Sequence, residues 1–183
     1  MKKNAFALVT FLTSLLTLSP LARVPLSAQQ PDPGTLVRFD GGIGVIPLAS
    51  GVGQAPTATV VNRNIVRGVQ PAGQIWVISA LKAAVKTDGR IRVDGRGLLL
   101  GGGNLIGFTA NASVFATLIC EPAAPFTEHS TNLVGVPLEP NGDFRIDDVL
   151  NPAPPASCDS PVLLIRVTGA NPGWFAAGIP RQD

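Results

Sequence analysis

The 183-residue chain contains no tyrosine, one histidine, one methionine and two cysteines, and only 14% of it is charged. Each shortage closes off some chemistry. Zinc is held by clustered imidazole and thiolate ligands, which one histidine and two cysteines destined for each other do not supply. General-base catalysis near neutral pH most often uses histidine. The single His129 lies in PAAPFTEHSTN between Glu128 and Ser130; on an extended loop such neighbours point in opposite directions, so adjacency does not make a triad. The expectation is a solvated loop histidine. No G-x-S-x-G elbow occurs. Aromatics make up 5% of the chain, with two tryptophans, a poor supply of exposed platforms for carbohydrate. Trp76 in QIWVIS is expected in the core, whereas Trp174, after the turn Asn171-Pro172-Gly173, is the better exposed candidate for a binding role.

Glycine is abundant, and GLLLGGGNLIG (97–107) has the look of a phosphate cradle. A Walker-type loop needs Gly-Lys-Ser/Thr, which does not follow. The dinucleotide fingerprint needs glycine or alanine where Ile106 stands, and the other pair, Gly42 and Gly44, meets Pro47 at the same spacing. Glycines bounding apolar runs mark bulges, bends and close backbone approach, so no cofactor is expected.

The chain opens MKKNAFALVTFLTSLLTLSP, with Lys2 and Lys3 ahead of an uncharged apolar run from Ala5 to Leu18. That order is a secretory signal peptide, too short for a comfortable membrane span of about 20 residues. It reads as signal peptide over 1–28, a linker over 29–34 and one domain over 35–183. The basic excess belongs largely to the leader. The 14 basic residues, less Lys2, Lys3 and Arg23, leave 11 against 12 acidic ones, a net charge of −1. At the level of net charge this gives no footing for a nucleic-acid or anionic-membrane partner. Outside the cytoplasm the two cysteines, Cys120 and Cys158, are expected to form one disulfide, which in the chain-entropy model contributes on the order of 4 kcal/mol.

Glycine and proline, 20 and 17 residues, divide the chain into short apolar runs, the spacing of a sandwich or barrel. Two turns can be tested for register. A two-residue loop at Asp88-Gly89 would mix apolar and charged residues on both faces. A three-residue loop, Thr87-Asp88-Gly89, pairs Val85 with Ile91, Ala83 with Val93 and Leu81 with Gly95, and leaves Lys82, Lys86, Arg90, Arg92 and Asp94 on the wet face. Since a one-residue slip flips every side chain, the longer loop is predicted, with Gly89 left-handed in a G1-type bulge. The same reasoning places a loop at Pro140-Asn141-Gly142, pairing Leu138 with Phe144 and Val136 with Ile146. A β-branched residue at Gly89 or Gly142 is expected to cost roughly 1 kcal/mol or more. The rival for residues 74–86 is a helix carrying Ile78, Leu81 and Val85 on one face, set against the β-favouring run IWVI.

Asp143, Asp147 and Asp148, with Asn141, are the candidate oxygen cluster for calcium, although the D-x-D-x-D-G order is absent and a strand turns Asp148 away from the other two. With Glu139 they are also the candidate carboxylates for a glycosidase pair. The stretches VNRNIVRGVQPAGQIWVI, DGRIRVDGRGLLLGGGN, VGVPLEPNGDFRIDDVL and PVLLIRV resemble an uncharacterised group of secreted bacterial proteins. The resemblance covers most of the chain after the leader and implies an exported bacterial domain, with no site residues to carry over.

The expectation is therefore an all-β fold, a mostly antiparallel β-sandwich (Ig-like or related) with tight Gly/Pro turns and one disulfide. It would be secreted, extracellular or periplasmic, and would act without catalysis by binding or by a structural role at the cell exterior. The partner would be an envelope component, a glycan or a protein, with no nucleic acid involved and no integral membrane span. The alternatives are an extracellular carboxylate-based hydrolase and a secreted inhibitor or effector. The last would present the loops from Cys120 to Thr131 and from Asn151 to Asp159, tethered by the disulfide.

Overall fold

A computed structural model of the chain describes residues 34–49 and 62–181. The expected signal peptide over 1–28 and all but the last residue of the expected 29–34 linker lie outside the described residues. Those described form thirteen strands and no helix. They are β1 (Thr35–Gly44), β2 (Leu48–Ala49), β3 (Asn62–Arg63), β4 (Trp76–Val77), β5 (Ala80–Lys86), β6 (Arg90–Arg96) and β7 (Leu99–Leu100), then β8 (Ser113–Ile119), β9 (His129–Ser130), β10 (Val136–Pro137), β11 (Phe144–Val149), β12 (Val162–Val167) and β13 (Trp174–Pro180).

The β5–β6 hairpin follows its alternation. Val85 pairs with Ile91, Ala83 with Val93 and Leu81 with Gly95, and the apolar members of these pairs are buried. Gly89 has φ +84° and its N–H donates to the Lys86 carbonyl at 3.0 Å. The helix rival fails because the segment is extended: β4 pairs with β7, Trp76 opposite Leu100, in the same register as β5 with β6. Between the two ladders Ser79 N–H donates to the Arg96 carbonyl at 2.9 Å. One long ribbon thus runs from the turn at residues 87–89 to the loop after β7.

The second turn forms as expected, with Gly142 at φ +81° and its N–H on the Glu139 carbonyl at 2.7 Å. Its strands do not continue as a hairpin. Val136 pairs with Val114 of β8, and Ile146 pairs with Val93 of β6, which corrects the expected Val136–Ile146 pairing. The physical reason is the order of the main sheet, β10-β8-β12-β13-β1-β5-β6-β11 with β9 also on β8, all antiparallel. The turn at 140–142 joins its two ends. Glu139 N–H meets the Asp143 carbonyl at 2.9 Å, and Ser130 and Asn151 exchange two backbone bonds of 3.1 and 2.8 Å. The sheet is therefore rolled until its edges touch, a sandwich whose two faces are continuous. Rolling also removes most of the open edge that a flat sheet would expose.

Its two sides differ in covering. β5 and β6 alternate, buried inward and exposed outward. β8 and β12 are buried on both faces apart from their ends, as their unbroken apolar runs require. The segment 62–73 covers them from outside. Arg67 donates to the Glu121 carbonyl and to Ser160 Oγ, and Trp174 N–H to the Gln70 carbonyl. The interior holds Val85, Val93, Val114, Leu118, Leu163 and Ile165, each at most 0% exposed.

Candidate functional site

Trp174 and His129 are both inside the protein, which corrects the exposure expected of each. Trp174 is 3% exposed because the covering segment pairs with its backbone, and its indole Nε1–H donates to the Asn64 carbonyl at 3.0 Å. It offers no platform to a ligand. Trp174→Phe removes one buried hydrogen bond and is expected to cost about 1 kcal/mol, read as a lower urea midpoint; an unchanged midpoint would contradict this role. His129 is 4% exposed because β9 pairs with β8, His129 opposite Leu118. Its Nδ1 donates to the Pro152 carbonyl at 2.9 Å, while Nε2 is buried without a partner.

Arg166 is a charged residue that sequence reasoning passed over. It lies in the buried strand β12, 6% exposed, and its guanidinium donates to Glu128 at 2.5 Å and twice to the Pro172 carbonyl. The signal was one charge in the otherwise apolar run PVLLIRV. Its donors are committed to fastening loops over the sheet, and this is a structural role.

Cys120 and Cys158 form the expected disulfide, Cα atoms 4.7 Å apart. It joins the loop after β8 to the loop before β12, so the two candidate display loops are tethered together. Arg67 braces them further, its guanidinium 5.3 Å from the centre of the Phe126 ring.

The four candidate carboxylates separate. Asp147 faces solvent, 4.0 Å from Arg145. Asp148 accepts from the Asn132 N–H at 2.8 Å across the seam of the rolled sheet. Asp143 accepts from the Gly97 N–H at 3.0 Å. Only Glu139 and Asp143 share a concavity, an open groove of about 700 Å³ that Lys82, Asp94, Arg96 and Arg145 also line. No three His, Cys, Asp or Glu residues gather as a metal site among the described residues, and the calcium set Asp143, Asp147, Asp148 and Asn141 is dispersed.

What the structure does bring together is a charged face on which cations outnumber anions. The outward face of β1, β5, β6 and β11 carries Arg38, Lys82, Lys86, Arg90, Arg92, Arg96 and Arg145 against Asp40, Asp94 and Asp147. Register builds the array. Asp40, Lys82, Asp94 and Arg145 form one row across the strands, and Arg38, Ala84, Arg92 and Asp147 the next. Strand spacing and rise set the rows about 7 Å apart and neighbours within a row about 5 Å apart. Asp94 sits between Arg92 at 3.2 Å and Arg145 at 3.8 Å, exposed contacts of small net worth that leave a cationic surplus. The Asp88 carboxyl in the adjoining turn is held below the ordinary carboxylate range, first by the Arg90 backbone N–H and then by its guanidinium. A second groove of about 320 Å³, lined by Arg38, Lys82, Arg92 and Arg181 with Asp40 and Asp94, meets the first at Lys82 and Asp94. The net charge of −1 expected for residues 29–183 is thus an average that includes a face with seven cations against three anions.

Comparison of the chain with protein-family models, with curated proteins and with solved structures found no match.

Proposed function

We propose that this is a secreted bacterial binding protein, acting without catalysis at the cell exterior, whose partner is an anionic component of the envelope. The carrying observation is the surplus of cations on the outward face of β1, β5, β6 and β11. A lattice of fixed cations attracts a multivalent anion over several contacts at once, and the attraction is screened by salt. The disulfide supports residence in an oxidising compartment.

The test is binding of the purified protein to dextran sulfate, with neutral dextran as control. Binding is expected to weaken steeply as salt rises, and Lys82→Glu with Arg92→Glu should weaken it at least tenfold at about 0.1 M salt. Both side chains face solvent but lie opposite Asp40, Asp94 and Asp147, so the reversed charges should lower the melting midpoint modestly, and circular dichroism checks that the variant is folded. Salt-insensitive binding, or a doubly reversed variant that binds as the parent does, would sink the reading.

A second reading rests on the shared groove of Glu139 and Asp143: a carboxylate hydrolase acting on a glycan. Reducing-end release from a polysaccharide panel, abolished in Glu139→Gln, would establish it. No release from any substrate leaves the groove as part of the binding face.

A further inference from the structure

The two central rows of the charged face are not alike. In the first, Lys82 stands between Asp40 and Asp94, which offset its charge from both sides. In the second, Arg38 and Arg92 stand on either side of Ala84. Ala84 is the one uncharged residue in the two rows. Its side chain ends at Cβ, so the row is interrupted by a notch with a methyl floor and arginine walls. The two arginine Cα atoms are about 10 Å apart, two strand spacings, and both side chains are long enough to close over the alanine. All three residues line the groove of about 320 Å³. Arg181 N–H donates to the Arg38 carbonyl at 2.9 Å, which brings a third guanidinium to the rim.

The walls keep their donors available. Arg92 is tied to Asp94 through Nε, at 3.2 Å, and its two Nη atoms make no hydrogen bond among the described residues. Asp147, beyond Arg92 in the same row, lies 4.0 Å from Arg145. Arg38 is half-buried, and its side chain makes no hydrogen bond or ion pair among the described residues. A partly desolvated guanidinium gains more from an arriving anion than a fully hydrated one does.

The notch selects among anions by shape. A guanidinium presents its N–H groups as a planar fork that matches two oxygens of one group. A carboxylate has two oxygens and satisfies one fork. A sulfate or phosphate monoester has three free oxygens around a tetrahedral centre, so it can accept forks from two sides at once.

We propose that the notch at Ala84 binds the sulfate or phosphate monoester groups of the partner, each gripped by Arg38 from one side and Arg92 from the other. This rests on the reading of the face as an anion-binding surface and adds the chemical group that it recognises.

The experiment measures dextran sulfate binding with variants that leave every charge in place. Ala84→Gln fills the notch, whereas Ala80→Gln makes the same change at another outward position of β5, opposite Arg96. Ala84→Gln should weaken binding about tenfold or more through lost charge-assisted bonds, and Ala80→Gln should bind as the parent does. Arg38→Lys keeps the charge without the fork and should weaken binding likewise. It carries the test if circular dichroism shows that Ala84→Gln does not fold. At one fixed ionic strength, made up with chloride, inorganic sulfate or phosphate should displace the protein from dextran sulfate and acetate should not. The stronger of the two tetrahedral ions identifies the ester. Parent-like binding by Ala84→Gln, equal losses in Ala84→Gln and Ala80→Gln, or equal displacement by acetate would overturn the notch and leave the multivalent cationic face standing. Failure of the parent to bind dextran sulfate would overturn both.

Discussion

Replacing Gly142 by valine is expected to destabilise the protein by about 3 kcal/mol or more, well beyond the same change at Gly89. Both glycines occupy the left-handed region, at φ +81° and +84°, where a β-branched residue is strained by about 1–2 kcal/mol. Their surroundings differ. A Cβ at Gly142 would lie 2.6 Å from Leu98 N and 2.7 Å from Leu98 O, backbone atoms that cannot rotate away, and the Leu98 N–H also donates to the Gly142 carbonyl at 2.9 Å. The turn that closes the rolled sheet presses on the ribbon there, and overpacking adds about 1–3 kcal/mol. At Gly89 the nearest atom is the ring Cδ of Pro154 at 3.2 Å, which can yield a few tenths of an ångström, so about 1–2 kcal/mol is expected. Urea unfolding of both variants checks this. Equal losses would show that the turn at 140–142 does not bear on the 97–98 backbone.

Removing the disulfide should cost about as much. The cysteines are 38 residues apart, and freeing a loop of that length restores on the order of 4 kcal/mol of unfolded-state entropy in the chain-entropy model, less any strain relieved. The bond lies beside an existing pair, Val162 opposite Ile119, so it holds β8 and β12 where they meet the covering loops. Cys120→Ser with Cys158→Ser should lower the thermal midpoint sharply, and the denatured, unreduced parent should titrate no thiols. Two thiols per chain, or an unmoved midpoint, would contradict it.

Local chemistry made some of this structure legible. The register of β5 and β6 was readable because only a three-residue loop set Ile91 and Val93 on the same face as Val85, Ala83 and Leu81. Gly142 was readable as a turn for the same reason. What could not be read is where strands go once they leave a turn. The pairing of β10 with β8, and the closure of the sheet through Ser130 and Asn151, join residues that no local pattern relates. Trp174 and His129 failed on this ground. His129 has polar neighbours and Trp174 follows directly on a turn, and each is buried by a partner from elsewhere, Asn64 for the indole and β8 for the imidazole. The glycines of GLLLGGGNLIG were rightly read as punctuation, yet the punctuation exposes Leu105 and Ile106 instead of burying them.

The candidate site was half legible. Lys82, Lys86, Arg90 and Arg92 stood together on the wet face of one hairpin. Arg38 and Arg145 joined them only through pairing with β1 and β11, and a whole-chain net charge averages that array away against Glu121, Glu128 and Asp159 elsewhere on the molecule.

The central claim, an anion-binding face on β1, β5, β6 and β11, is tested most directly by residue-resolved NMR of the labelled protein titrated with dextran sulfate. The expected result is chemical-shift change concentrated at Arg38, Lys82, Arg92 and Arg145, reversed by added salt, with the loops around Cys120 and Cys158 unmoved. Changes centred on those loops, or none anywhere, would contradict the account.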